Sequence, residues 1–157
     1  MRFPSESDPG DAGWHIESSY AVDGRWRVNV RSRGRGLLAL YLFTDVDSVS
    51  APTRLRPGSH WDVPPILAAA GDDGLDWPGA ARQAAEASAS RRTVLATGRA
   101  GDVFLCHPFL VHAASWPHRG TAPRMVAQPP VTPVGDYAVR PDPAAAPTPV
   151  ERVIWEA

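Results

Sequence analysis

Residues 37–46 read LLALYLFTDV, and this stretch decides how the rest of the chain is interpreted. Its first seven residues are all apolar, so both faces of a strand built from them would avoid water. A run of this length is far shorter than the roughly 20 residues that a membrane span needs. The stretch therefore predicts a central β-strand that is covered on both sides.

Shorter strands are predicted around this central one. In residues 25–31, Trp26, Val28 and Val30 alternate with arginine and asparagine, which is the pattern of a strand with one apolar face. Further runs of strand length, separated by Gly, Pro, Asp and Ser, lie at residues 14–17, 20–22, 53–56, 93–96, 103–106, 110–114 and 124–128. Many short strands of this kind indicate an antiparallel β-sandwich or barrel.

Helical patterns are confined to a short insertion at about residues 60–90 and to the C-terminus. The insertion contains two predicted helices, at residues 63–70 and 79–88, with a flexible acidic loop between them. Residues 150–156 are predicted to form a closing helical turn. The polar residues 1–12 are expected to form a loose arm, and the proline-rich residues 129–149 an extended surface arm.

The composition of the chain excludes several classes of partner and of catalytic site. Its 157 residues fit a single domain. The net charge of −1 argues against nucleic acid and anionic membranes as partners. The single cysteine, Cys106, excludes an internal disulfide and a multi-cysteine zinc site, and the absence of lysine excludes Schiff-base catalysis. The first ten residues do not resemble a secretory signal, so we expect a cytoplasmic protein, and the Ala-, Pro- and Gly-rich composition suggests a bacterial source.

Two residues near the N-terminus have metal-binding chemistry. His15 and Glu17 lie two positions apart, so a strand places an imidazole and a carboxylate on the same face. Two histidines and one carboxylate are the ligands of facial iron(II) sites. The competing interpretation is an exposed His-x-Glu pair that binds no metal.

The third ligand of such a site would be a distant histidine. His107 and His112, both within GDVFLCHPFLVH (101–112), are candidates, and spacing alone does not choose between them. Arg124 follows His112 by twelve residues, which suits a strand, a turn and a return strand. Its guanidinium could then pair with a carboxylate near the metal, although a surface arginine is the alternative.

Five arginines at odd-numbered positions would also share one strand face. These are Arg25, Arg27, Arg31, Arg33 and Arg35. A solvated face is the first interpretation, and the rim of a pocket for an acidic substrate is the second. A nucleic-acid contact is the third, and the net charge gives it no support.

The segments WHIE (14–17), RPGSH (56–60) and GDVFLCHPFLVH (101–112), with the later Pro-Arg pair, resemble the phytanoyl-CoA dioxygenase family. This resemblance implies a mainly β fold, a double-stranded β-helix (jelly roll, cupin-like), with iron(II) and 2-oxoglutarate as cofactors. It also implies that His15, Glu17 and His112 bind the metal and that Arg124 binds the far carboxylate of 2-oxoglutarate. Residues near the predicted pocket are expected to contact substrate: Ser59, His60, Trp61 and Trp116.

The expected function is hydroxylation of an unactivated C–H bond of a small organic substrate, with the oligomeric state left open. The alternative is a non-catalytic, degenerate β-barrel binding protein of the same fold. Only 14 residues precede His15, whereas family members usually carry a substantial segment there, so a truncated or minimal variant is expected. Glu17 also stands where the family usually has aspartate.

Overall fold

The computed structural model of the chain describes residues 1–17, 19–141 and 144–157. Within these ranges the chain forms nine short β-strands and three α-helices. The strands are β1 (Tyr20–Val22), β2 (Arg25–Val28), β3 (Leu38–Leu42), β4 (Arg54–Leu55), β5 (Leu75–Asp76), β6 (Val94–Leu95), β7 (Val103–Cys106), β8 (His112–Ala113) and β9 (Val126–Ala127). The helices are α1 (Pro64–Ala69), α2 (Trp77–Ala87) and α3 (Pro149–Glu156), and Ser59–Trp61 forms a 3-10 turn.

The described strands form three small antiparallel sheets, in the orders β1-β2-β5, β7-β3-β9 and β6-β4-β8. The apolar stretch that decided the interpretation of the sequence is the central strand of its sheet, paired with β7 on one side and β9 on the other. Four of its five residues are buried, and only Tyr41 is exposed. The prediction of a mainly β fold with a short helical insertion is therefore confirmed at this level, while the jelly roll stays a prediction.

The larger hydrophobic core joins the helices to the segments that carry the candidate metal ligands. Its buried members come from all three helices, from β2 and from residues between these elements: Ile16, Val28, Val30, Val63, Leu67, Ala80, Ala84, Phe109, Val111, Val150 and Ile154. Ile16 and Val111 are fully buried within it. Because packed cores resist displacement, their neighbours His15, Glu17 and His112 are attached to a rigid support.

The two helices of the insertion lie where the sequence predicted them, each with proline in its first turn. The acidic stretch between them is not simply a flexible loop, because Leu75 and Asp76 form β5 against β2. The pairing depends on Gly74, which has φ +63°, and a Cβ there would overlap the carbonyl oxygen of Val28. Two residues are too few to show a period, so this strand is not apparent from the sequence.

The N-terminal residues are docked, which corrects the expectation of a loose arm. The backbone of Arg2 pairs with Arg124 through hydrogen bonds of 2.9 and 2.8 Å. Ser5 pairs in the same way with His118, at 2.9 and 3.0 Å. The unpaired edge groups of these distant segments supply the partners, which no local sequence pattern encodes.

Two other expectations need correction. Trp26, expected on an apolar face, is 57% exposed, because the sheet is uncovered where Trp26 pairs with the exposed Ala21. The proline-rich arm is not wholly at the surface: Val131 forms a bridge with Leu37, and Tyr137 packs against the larger core. Residues 142 and 143 of that predicted arm lie outside the described residues.

Among the described residues, no helix has the length and apolar character that crossing a bilayer requires.

Candidate metal centre

The backbone brings His15 and His112 side by side. Each donates its N–H to the carbonyl oxygen of the other, at 2.9 Å in both directions. Residues 14–17, predicted as a strand, contribute only this one bridge. Ile16 points into the core, so His15 and Glu17 on either side of it face the opposite way, toward His112.

One ligand atom from each of His15, Glu17 and His112 lies within 4.8 Å of the others. The Oε1 atom of Glu17 is 3.2 Å from Nε2 of His112 and 3.9 Å from Nε2 of His15. The two imidazole rings are 4.4 Å apart at their centroids. In the described part of the chain, this is the one group of three or more His, Cys, Asp or Glu residues that could hold a metal ion.

Hydrogen bonds to the backbone orient both imidazole rings. Nδ1 of His15 lies 2.8 Å from the carbonyl oxygen of Gly13, and Nδ1 of His112 lies 3.0 Å from that of Leu110. A carbonyl oxygen only accepts, so each Nδ1 carries the proton, and in the neutral ring Nε2 presents a lone pair. Both lone pairs then face the Glu17 carboxylate. Such an arrangement is favourable only if a proton or a cation lies between the groups.

The protonation states of His15 and Glu17 suit a metal site. Burial lowers the pKa of His15, and the neighbouring His112 lowers it further. As the pH rises, the ring therefore loses its proton at a lower pH than an ordinary histidine does. Burial raises the pKa of Glu17, but the hydrogen bond and charge of His112 and the charge of Arg35 outweigh it, and the net pKa is lowered. A neutral imidazole and an ionised carboxylate are the forms that bind metals.

Two further side chains hold the Glu17 carboxylate, and neither was predicted from the sequence to do so. The Gln128 amide donates to Oε1, and an Arg35 guanidinium nitrogen lies 3.7 Å from Oε2. Arg35 was grouped with arginines on a solvated face or a pocket rim. Gln128 was detectable in principle, because it has the same parity as Arg124 along one predicted strand.

A cleft of about 340 Å³ adjoins the donors. Among the residues that line it are His15, His112, Arg124, Val126 and Gln128. The last three lie two positions apart, so one face of the segment around β9 forms a wall of the cleft. Met1, Arg2 and Asp11 of the docked N-terminal segment line it as well.

Arg124 is mostly buried in this wall. Its Nη1 donates to the carbonyl oxygen of Ala51, and its Nε is buried without a hydrogen-bond partner among the described atoms. Burial lowers the pKa of Arg124, the charge of Arg2 lowers it further, and Asp11 opposes both. Arginine remains protonated, so a buried cation with an unused donor borders the cleft.

The other histidine candidate lies away from the metal donors. Nδ1 of His107 accepts from the N–H of Phe109 at 3.1 Å, and Nε2 lies 3.4 Å from the carbonyl oxygen of Val150 in α3. Its ring stacks on His60 at 5.2 Å. His107 therefore has the partners of a neutral structural histidine.

The four predicted substrate contacts do not line the cleft beside the metal donors. Ser59 is buried, and its hydroxyl accepts from the N–H of Val111 at 2.8 Å. His60 and the half-exposed Trp61 lie beside each other near His107. Trp116 lines a separate cleft of about 410 Å³ that is formed largely by the N-terminal segment. A role for these residues in binding substrate stays a prediction.

Comparison with known proteins identifies a family. A family model described as phytanoyl-CoA dioxygenase matches residues 2–126, a range that includes His15, Glu17, His112 and Arg124. No curated protein and no solved structure gives a significant match.

Proposed function

The chain belongs to the phytanoyl-CoA dioxygenase family, and from this membership we propose that it is an iron(II)- and 2-oxoglutarate-dependent oxygenase. The proposed reaction is hydroxylation of an unactivated C–H bond in a small organic substrate. The observation that carries the proposal is the convergence of His15, Glu17 and His112 within 4.8 Å.

The donor set fits iron(II). Two imidazole nitrogens and one carboxylate oxygen are the ligands of non-haem iron(II) oxygenases, and three ligands from one side leave other coordination positions open. The backbone carbonyls on both Nδ1 atoms fix the rings with Nε2 toward Glu17. Without a metal, the distance of 3.2 Å between Nε2 of His112 and Oε1 of Glu17 requires a proton between the two atoms. A bound metal ion would take the place of that proton. Iron(II), when bound, supplies the redox chemistry that couples dioxygen and 2-oxoglutarate to oxidation of the substrate.

Arg124 is the proposed partner of 2-oxoglutarate. A carboxylate in the cleft would satisfy the buried Nε donor and pair with a guanidinium held among the same lining residues as His15 and His112. Val126, between Arg124 and Gln128 on the strand face, would keep the space between the two ends of the cosubstrate apolar. The chain's own contribution is thus to position the cosubstrate and to shield it from water.

A specific observation also favours the alternative of a non-catalytic binding protein. Asp11 and Arg2 line the cleft beside Arg124, and the Asp11 charge acts on that guanidinium. A carboxylate of the chain itself would there compete with the carboxylate of a cosubstrate. Such a protein would bind a small molecule without turning over 2-oxoglutarate.

Release of succinate tests the proposal. The protein is incubated anaerobically with iron(II), then given 2-oxoglutarate, dioxygen and a panel of small acids and acyl thioesters. We expect succinate to form with the parent protein and with the matched control His107→Ala, and not with His112→Ala. Tight metal binding without any succinate would favour the binding protein, and turnover that survives His112→Ala but not His107→Ala would move the site to the other histidine.

A further inference from the structure

We propose that Gln128 is a positioning residue of the metal centre: its side-chain amide holds the Glu17 carboxylate so that Oε1 faces the two histidines. The Gln128 Nε2 donates to Oε1, the same oxygen that lies 3.2 Å from His112 and 3.9 Å from His15. The inference rests on the proposed metal site and deepens it, since it assigns a role to a residue that does not itself bind the metal.

Glu17 needs such support because of its length. A glutamate has one more rotatable bond than an aspartate, and fixing a side chain of this kind costs conformational entropy of up to about 2 kcal/mol. The side chain of Glu17 is 21% exposed and belongs to neither hydrophobic cluster of the described residues, so apolar packing alone does not select one rotamer. Hydrogen bonds to the carboxylate have to do so.

Gln128 is the neighbour best suited to this task once a metal is bound. The Nε2 lone pair of His112 would then be used by the metal, so this ring could no longer hold Glu17 through a hydrogen bond. Arg35 lies 3.7 Å from Oε2, which is beyond hydrogen-bond distance, and acts as an ion pair. A carboxylate oxygen has two lone pairs, so Oε1 can accept from Gln128 and still bind a metal.

The chemistry of an amide also suits the position. Gln128 donates a proton without carrying a charge, so it orients the carboxylate and leaves its negative charge available for the cation. The residue follows β9 directly, and β9 is anchored by pairing with the buried Leu42 of β3. The amide is therefore presented from a fixed backbone, on the same strand face as Arg124.

Titration with Co(II), an air-stable probe for iron(II) sites, tests the inference. In Gln128→Ala we expect metal affinity, measured by calorimetry, to fall about 10- to 100-fold, as is typical when a group that orients a ligand is removed. The visible spectrum of the Co(II)-loaded protein should change as well, because the carboxylate would bind in another orientation. The matched control is Gln83→Ala, in helix α2, which should leave both affinity and spectrum unchanged.

Gln128→Met separates hydrogen bonding from packing, because it keeps the length of the side chain and removes the donor. The same loss of affinity and the same spectral change are expected as in the alanine variant. Full affinity with an unchanged spectrum, in either variant of a parent protein that binds Co(II), would overturn the role of Gln128 and leave the proposed metal site intact. A parent protein that fails to bind Co(II) would overturn the metal site, and this inference with it.

Discussion

At the scale of single residues, the geometry of the centre depends on the length of the acid at position 17, since glutamate has one methylene group more than aspartate. The family resemblance leads us to expect aspartate at position 17, and the partners of Glu17, which are Gln128 and Arg35, contact the carboxylate at the end of the longer side chain. The backbone of residues 15–17 is fixed by the bridge to His112 and by the burial of Ile16. A shorter acid at position 17 therefore cannot be rescued by a shift of the chain.

We predict that Glu17→Asp and Glu17→Gln both bind iron(II) more weakly than the parent protein, for different reasons. The aspartate keeps the charge but loses reach, and the glutamine keeps the reach but loses the charge that faces the metal. Anaerobic titration measures both affinities. Equal affinity in all three proteins would show that residue 17 is not a ligand, and stronger binding by the aspartate variant would show a backbone built for the shorter acid.

Arg124→Ala should weaken binding of 2-oxoglutarate much more than binding of the metal. Removing one partner of a buried charge pair typically costs about 2–5 kcal/mol, or roughly 30- to several-thousand-fold in affinity. Arg124→Lys should restore only part of the loss, because an ammonium lacks the planar fork of donors. Calorimetry on the metal-loaded protein measures the change, with exposed Arg92→Ala as the control. Unchanged cosubstrate affinity in Arg124→Ala would refute the assignment.

His107 should make the folded protein sensitive to acid. Burial lowers its pKa to about 4, from an ordinary value of 6.5. Protonation would also break the hydrogen bond that Nδ1 accepts from Phe109. Because the unfolded chain binds the proton first as pH falls, the stability contributed by the neutral ring is complete above pH 6.5 and is lost between pH 6.5 and about 4.

The expected loss from this one group is roughly 2–3 kcal/mol of unfolding free energy over that range. Urea denaturation at a series of pH values measures it. In His107→Gln, whose amide can both accept and donate but does not titrate, this part of the pH dependence should disappear. The same slope in the parent and in the variant would assign the acid sensitivity to other groups.

At the scale of elements, the C-terminal helix has a start signal of its own. The Thr148 side chain accepts from the N–H of Glu151, and the Glu151 carboxylate accepts from the N–H of Thr148, which forms a capping box. Val150, Val153 and Ile154 of α3 are buried. Helix α3 also provides the carbonyl of Val150 that faces His107.

We predict that Thr148→Ala destabilises the protein by about 1 kcal/mol, because an N–H at the start of α3 loses its partner. Thr148→Ser should keep most of the stability, and Thr121→Ala, at an exposed turn, should change it by less than about 0.5 kcal/mol. Urea denaturation followed by circular dichroism provides the measurement. Equal midpoints for Thr148→Ala and the parent would show that the cap contributes nothing to the docked helix.

At the scale of the whole molecule, the candidate centre connects segments that are far apart in the chain. Glu17 and His112 are separated by 95 positions, and Gln128 lies 111 positions from Glu17. The unfolded chain does not hold these groups together. A metal that binds them should therefore stabilise the folded state as a whole.

We expect Co(II) to raise the melting temperature of the parent protein in a concentration-dependent way. At a metal concentration 100 times the Kd, mass action gives about 2.7 kcal/mol of stabilisation. The shift should vanish in His112→Ala and persist in His107→Ala, each compared with its own metal-free form. An equal shift in the parent and in His112→Ala would indicate binding elsewhere on the protein.

Local sequence pattern was sufficient for the features that depend on neighbouring residues. The apolar run at residues 37–46 predicted the central strand, and proline and alanine-rich patterns predicted α1 and α2. The spacing of His15 and Glu17 predicted that both face the same way. These features follow from backbone geometry and residue chemistry, which act over a few positions. They can therefore be predicted from a single sequence.

Tertiary structure alone decided which distant segments meet. It paired Arg2 with Arg124, formed β5 from two residues beside Gly74, and left Trp26 exposed. It also brought Gln128 to Glu17, which lies 111 positions away in the chain. The convergence of His15 and His112, by contrast, was already implied by the family resemblance. The physical reason is that strand pairing and burial are contacts between surfaces that the folded chain creates. The local hydrophobic periodicity indicates which face of a segment is apolar, but it does not indicate which other segment that face or edge will contact.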